Sequence, residues 1–245
     1  MKKTLYLLAT AILVSCGPKQ AAKNQDQKII DTTTVSNNDT TQQKQEKKKD
    51  ASIYTYPPTT QVPSWFDLSA FGENYKPRKC KDSTQLMTIA TALIVAIKDR
   101  DMGTIEKYVH PKKGVRFSPY MSVNMERDVK MSAKDFTKNW NLDKKFLWST
   151  DWEDEIRLTM KDYFSQKVYD RDYIKESTPL INVIIDGGNT YSSVEEDYPT
   201  ADYVEYYIAA TEKGGGLDWN SLGLVFEMYE GTYKLVGIVH ACWTP

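Results

Sequence analysis

Cys16 closes the stretch Leu13-Val14-Ser15-Cys16, and its place behind a short apolar run is that of a cysteine acylated after signal-peptide cleavage. Lys2 and Lys3 supply the charged start and Leu5 to Val14 the apolar run. That run, as helix, rises roughly 15 Å against a hydrocarbon core roughly 30 Å thick, so it reads as a processing signal and not a span. The bland alternative is an ordinary secretory signal with a fortuitous cysteine. Cys80 and Cys242 are the two cysteines left. In an oxidising compartment they can form a disulfide, or they can be two unrelated thiols. The two histidines, His110 and His240, are open to acid–base work or to structural roles. His110 precedes Pro111 at a predicted helix end, where a histidine commonly satisfies terminal carbonyls. His240 lies in the last predicted strand, where a pocket wall and a core position fit equally. Arg116 stands between Val115 and Phe117, so in a strand it points away from both. There it either offers paired hydrogen bonds to a carboxylate or other anionic group, or meets water and surface acids.

Enzyme motifs are otherwise scarce. The chain has no Gly-x-Ser-x-Gly elbow, no P-loop, no dinucleotide fingerprint and no Cys-x-x-Cys pair, and no cofactor is expected. Gly214-Gly215-Gly216 reads as a loop. The acidic clusters Asp151-Trp152-Glu153-Asp154-Glu155 and Glu195-Glu196-Asp197 lack the alternating oxygen ligands and central glycine of a calcium loop, so they read as solvated faces. A zinc site would need His110, His240, Cys80 and Cys242 to converge from scattered positions, and no metal is expected.

The elements that must position these residues lie in the second part of the chain. Up to Ser64 there are nine Lys/Arg against five Asp/Glu; from Trp65 onward there are 23 against 28. Neither balance suits a nucleic-acid partner. Residues 16–64 are rich in Gln, Lys, Asn, Asp and Thr and too poor in apolar side chains to offset the entropy of ordering, so they read as a tether. Coil scaling gives it a reach of roughly 35–40 Å. All six tryptophans and 26 of 29 aromatic residues lie from Trp65 onward, which marks residues 65–245 as a single domain behind a signal peptide at 1–15 and the lipid-anchored tether.

Within that domain, Leu86, Ile89, Ala90, Leu93, Ile94 and Ile97 recur at helical spacing. The pattern predicts a helix from Asp82 to about Arg100, with Asp82 as cap, Gln85 reciprocating and Gly103 ending the region. A short helix follows over Thr104 to Val109. Ser132 with Asp135, and Thr159 with Asp162, mark two more helix starts. Strands are predicted over Gly114 to Tyr120, Leu180 to Asp186 and Tyr203 to Ala210, with a turn at Asp186-Gly187-Gly188-Asn189. The clearest pair is a hairpin, Ser221 to Tyr229 and Thr232 to Ala241 about Glu230-Gly231, with Leu222, Leu224, Phe226 and Met228 sharing one face. Helices first and long strands last predict an α+β domain with helices packed on one face of a curved, mainly antiparallel sheet.

Two blocks carry a resemblance. Tyr108-Val109-His110-Pro111-Lys112-Lys113-Gly114-Val115-Arg116-Phe117-Ser118-Pro119-Tyr120 is the first; Asp218-Trp219-Asn220-Ser221-Leu222 with Leu224-Val225-Phe226-Glu227, Tyr233 to His240 and Trp243-Thr244 is the second. Together they resemble an uncharacterised family of exported, lipid-anchored bacterial proteins, distantly similar to the cone-shaped superfamily of nuclear transport factor 2 and ketosteroid isomerase. The resemblance spans roughly residues 80–245. In that family an acidic residue commonly follows the histidine; here Ala241 and Cys242 do. The resemblance implies an α+β cone, and its two blocks hold both histidines and Arg116. If the cone encloses a cavity, His110, Arg116 and His240 are its expected polar members, with Tyr120, Trp219 and Trp243 among its aromatic walls.

Three functions stay open: a lipid-anchored domain binding a small apolar or anionic ligand or a partner, a small-molecule isomerase or hydratase with a pocket acid and base, and a purely structural envelope protein. Gly17-Pro18 lacks the Asp that retains some lipoproteins at the inner membrane, and no acidic run follows. The expected location is therefore the outer membrane, facing the periplasm.

Overall fold

Helix α1, Ser83–Asp99, begins where the sequence places it. The Asp82 carboxylate accepts the Gln85 amide at 2.8 Å, which satisfies one of the free N–H groups of the first turn. Gln85 does not reciprocate. Its side chain reaches the distant β-hairpin instead, accepting from the Tyr233 amide at 3.1 Å and donating to the Gly231 carbonyl at 3.3 Å. Gly103 is no terminator either: Arg100 ends α1 in the left-handed region with φ 58°, and Gly103 lies inside α2, Met102–Tyr108. The computed structural model describes residues 76–150, 155–185 and 191–243, all within one unit of the chain, Lys48–Pro245. Cys16, the tether and the predicted turn at 186–189 lie outside the described residues, as does most of the first acidic cluster.

The elements after α2 are β1 Val115–Ser118, β2 Lys130–Met131, α3 Ala133–Trp140, β3 Lys145–Ser149, β4 Ile156–Thr159 and α4 Met160–Tyr163. A π-helical turn, Phe164–Val168, continues α4. Then come α5 Tyr173–Glu176, β5 Thr178–Ile181, α6 Val194–Asp197, β6 Asp202–Ile208, β7 Asn220–Tyr229 and β8 Thr232–Cys242. The predicted caps hold: Ser132 and Thr159 each accept the amide three residues on, at 3.2 Å. The strand predicted over Leu180 to Asp186 starts earlier and is shorter, because Asn182 turns the chain with φ 52°.

Six strands form one curved sheet in the order β2-β1-β8-β7-β6-β5, and β3 with β4 forms a separate pair. Every pairing is antiparallel except β1 with β8. The β7–β8 hairpin turns on Glu230 and Gly231, with φ 49° and 79°, the two positive values that a tight two-residue turn requires. Opposite Val225 and Phe226 the register slips by one residue, so Val236 is extra in β8. Beyond this bulge Ile238 and His240 face the same side as Leu235.

That side carries the helices. Leu86, Ala90, Leu93, Ile94 and Ile97 of α1 pack with Phe117, Leu222, Leu224, Phe226, Leu235 and Ile238 in the main core. Its middle is filled by fully buried rings of Phe117, Phe136, Trp148, Tyr163 and Phe164. The outer face is covered too, by a smaller cluster in which Val194 and Tyr198 meet Tyr203, Val225, Val236 and Val239. Among the described residues no helix is long and apolar enough to cross a membrane.

Candidate functional site

The two faces of the sheet and the length of β8 separate the expected site residues. Arg116 opposes Val115 and Phe117 as the strand period requires, and since those two are in the main core, Arg116 faces outward. His240 faces the helices. The two therefore lie on opposite faces, and one cavity does not hold both. His110 stands near the hairpin end, donating its amide to the Leu235 carbonyl at 2.9 Å; five strand residues, roughly 17 Å, separate that point from His240. The His110 Nδ1 accepts the amides of Lys112 and Lys113 at 3.2 and 3.0 Å, so the ring holds the turn after α2. Burial pushes its pKa below the ordinary histidine value. Trp219 packs on the outer face with Met121 and Ala241, stacked 6.2 Å from Tyr207. Tyr120 is half-buried after β1, and Trp243 is exposed beyond the end of β8.

The cysteines are apart as well. Cys80 Sγ lies 3.1 Å from the Tyr233 hydroxyl, near the start of β8, whereas Cys242 is the last residue of that strand. Roughly 30 Å of strand lie between those positions, against the roughly 7 Å between α-carbons that a disulfide tolerates. Both thiols are free, and burial pushes the pKa of each up, which keeps them protonated and poor nucleophiles. The disulfide expectation fails because the two ends of one long strand cannot meet.

On the helix side His240 has a carboxylate partner that the sequence did not reveal. Its Nε2 is 3.3 Å from Asp170 Oδ2, which also accepts from the Asn220 amide at 2.8 Å. Asp170 Oδ1 accepts the Tyr173 hydroxyl at 2.9 Å, and that hydroxyl also meets Asn220 Oδ1. Burial raises the Asp170 pKa, but the hydrogen bond and charge of His240, with the bonds from Asn220 and Tyr173, outweigh it and hold the carboxyl at about 2. Asp170 is placed there by the π-helical turn that ends two residues before it. Nε2, facing a carboxylate, carries a proton. Nδ1 is buried and without a hydrogen-bond partner.

On the outer face a groove of about 400 Å³ is lined by Lys113, Arg116, Lys130, Tyr198 and Glu227, with Met125 and Val236 as apolar wall. Arg116 is buried and not solvated, and its Nη1 donates to the carbonyls of Asp128 and Asn124 at 3.0 and 3.3 Å. The turn that offers those carbonyls is tied by Asp128 Oδ2, which accepts from Ser118 Oγ at 2.5 Å and the Asn124 amide at 2.8 Å. Lys130 pairs directly with Arg116 across β1 and β2, so both cations share the outer face. Tyr198 closes the groove above Gly237, where a Cβ would come within 3.2 Å of the tyrosine hydroxyl. Burial pushes that hydroxyl up to about 12, with the adjacent Arg116 guanidinium pulling the other way.

Sequence reasoning missed Asp170, Tyr173, Lys130 and Tyr198. Asn220 lies inside the second sequence block, but its amide gives no sign of a partner there. A second hollow on the outer face, between Met121, Tyr203, Glu205 and Val239, measures about 20 Å³, room for about one water. Among the described residues no three His, Cys, Asp or Glu gather as metal ligands.

No protein-family model matches this chain, and no curated protein matches it. Among solved structures, a proposed calcium/calmodulin-dependent protein kinase II association domain from Xanthomonas campestris aligns over 69% of this chain and 94% of its own, at 9% identity and a TM-score of 0.29. An uncharacterised protein with a cystatin-like fold from Caulobacter vibrioides aligns over 68% of this chain and 92% of its own, at 11% identity and the same TM-score of 0.29. At that level of overlap the likenesses carry no argument about function, which rests on the chain's own geometry.

Proposed function

We propose that the folded part is a binding domain for a small molecule with an anionic group, held in the bacterial envelope by acylated Cys16. The observation that carries the reading is the groove of about 400 Å³ with Arg116 in its lining, a size within the range of ordinary ligand pockets. A guanidinium offers a carboxylate or similar group paired N–H donors, and Met125, Val236 and the Tyr198 ring supply apolar surface beside it. Benzoate, one ring and one carboxylate, is the matching probe. Titrated calorimetrically into the full chain in detergent, it should bind wild type and lose about tenfold in affinity with Arg116→Gln, the equivalent of about 1.4 kcal/mol. Tyr198→Phe, which removes the hydroxyl that faces the groove and leaves the turn contacts of Arg116 intact, should weaken it as well. Unchanged affinity in Tyr198→Phe and in folded Arg116→Gln overturns the assignment.

The anchor has its own test. Each buried acyl methylene contributes about 0.8 kcal/mol, so several chains on Cys16 make release negligible. Cys16→Ser should move the protein from the membrane to the soluble fraction, and retention of that variant after a salt wash overturns the anchor.

The enzyme reading keeps one observation in its favour. His240, oriented by Asp170 through Nε2, presents an unpartnered Nδ1, the arrangement a general base uses. The aromatic rings packed through the main core favour binding on the outer face over chemistry on the inner one.

A further inference from the structure

Arg116 and Lys130 are directly opposite each other on an antiparallel pair, with Cβ atoms about 5 Å apart by strand geometry. Like charges so placed repel, and nothing in the hydrophobic pattern demands a second cation at that position. Glu227 does not relieve the pair, since it is engaged by Lys113 at 2.5 Å. Asp197, the other carboxylate of the groove lining, accepts the Ser193 hydroxyl at 2.6 Å, and the Asp128 carboxylate behind it is held by the Ser118 hydroxyl and the Asn124 amide. Both bonds of Arg116 to the 124–128 turn leave from Nη1, while Nη2 and Nε carry three further N–H donors. Beside them lies the buried Tyr198 hydroxyl, which has no partner for its own proton and whose polar neighbour is the Arg116 guanidinium.

Resting on the anionic-ligand reading of the same groove, we infer that its occupant presents a phosphoryl group, seated between Arg116 and Lys130 with the Tyr198 hydroxyl donating to it. A doubly charged oxyanion offsets both cations of the cross-strand pair, where a carboxylate offsets one. Three phosphoryl oxygens also match a fork, an ammonium and a hydroxyl arriving from different sides.

The test compares phenyl phosphate with benzoate, which share the ring and differ in the anion, by calorimetry on the full chain in detergent. At pH 8 phenyl phosphate should bind at least about tenfold more tightly. That advantage should shrink toward pH 5, because the second phosphoryl proton binds near pH 6. Lys130→Gln, an exposed position whose loss leaves the fold intact, should lower the affinity for phenyl phosphate much more than that for benzoate and so remove the advantage. Equal affinities at pH 8, or an advantage untouched by Lys130→Gln, overturn the phosphoryl assignment and leave the anionic-ligand reading standing. If neither probe binds, both fail together. Flotation of the unanchored Cys16→Ser protein with phosphatidic acid vesicles separates the sources: Lys130-dependent flotation identifies a lipid headgroup, and phenyl phosphate binding without flotation identifies a free phosphomonoester.

Discussion

Phe117→Ala is expected to destabilise the domain by about 3–5 kcal/mol, the range for removing a buried phenyl ring without full collapse of the space. Phe117 is fully buried, and its ring centroid lies 5.5 to 6.0 Å from those of Phe136, Trp148, Tyr163 and Phe164. These rings come from α3, β3, α4 and the π-helical turn, so one side chain joins four elements to the sheet. Trp148 and Tyr163 stack at 3.8 Å on one side, which leaves little freedom to refill the gap. For a domain of this size each kcal/mol moves the melting temperature by roughly 2–4 °C, so a fall of about 10 °C is expected in a calorimetric scan. Phe117→Leu keeps most of the volume and should cost less than half as much. A loss under about 1 kcal/mol in Phe117→Ala would mean that these elements do not depend on the ring cluster.

The parts of this fold that are legible in the sequence are those whose partners are near in the chain. The β7–β8 hairpin follows from alternation on two strands and a turn that accepts positive φ at Glu230 and Gly231. Helix α1 follows from its apolar spacing and from a cap three residues away. Gln85 shows the limit of such reasoning: local chemistry offers a reciprocal cap, but a hairpin almost 150 residues later supplies better partners for its amide. The parallel pairing of β1 with β8 has no local signature, because parallel neighbours are joined by long connections. Strand β2, two residues long, is too short to show a period.

The candidate sites divide along the same line. That Arg116 points away from Val115 and Phe117 is a matter of period, and it holds. Which face of the sheet receives it depends on where β1 pairs, and this places it with Lys130 and Tyr198 and apart from His240. Expecting the two histidines and Arg116 in one cavity assumed that neighbours in two sequence blocks become neighbours in space. Side-chain alternation along β1 and β8 and the length of β8 prevent that, and the same length separates the two cysteines. The resemblance placed a carboxylate after the histidine, in doubt here because Ala241 and Cys242 occupy those positions. The structure supplies one from Asp170, 70 residues earlier, which no spacing rule could have selected.

Asp170 should make the stability of the protein depend on acid in a defined window. Its carboxyl is held at about 2, against 3.8 ordinarily, so the folded state binds this proton less readily than the unfolded chain. The sign follows: the stabilisation is fully present above about pH 4, declines as pH falls toward 2, and is lost below it. A depression of this size corresponds to about 2 kcal/mol. Its causes are the His240, Asn220 and Tyr173 contacts, which together exceed the opposing effect of burial. Asp170→Asn keeps the shape and can still accept a hydrogen bond, but it does not titrate. Urea unfolding at steps from pH 5 to pH 2 should therefore show wild type losing about 2 kcal/mol more than the variant over that interval, with the variant the less stable protein at pH 5. His240→Gln removes the facing charge while leaving Asn220 and Tyr173 in place, and it should recover part of the flat profile. Parallel curves for wild type and Asp170→Asn would show that the carboxylate is not bound to its neighbours as the geometry requires, and the role of Asp170 in orienting His240 would go with it.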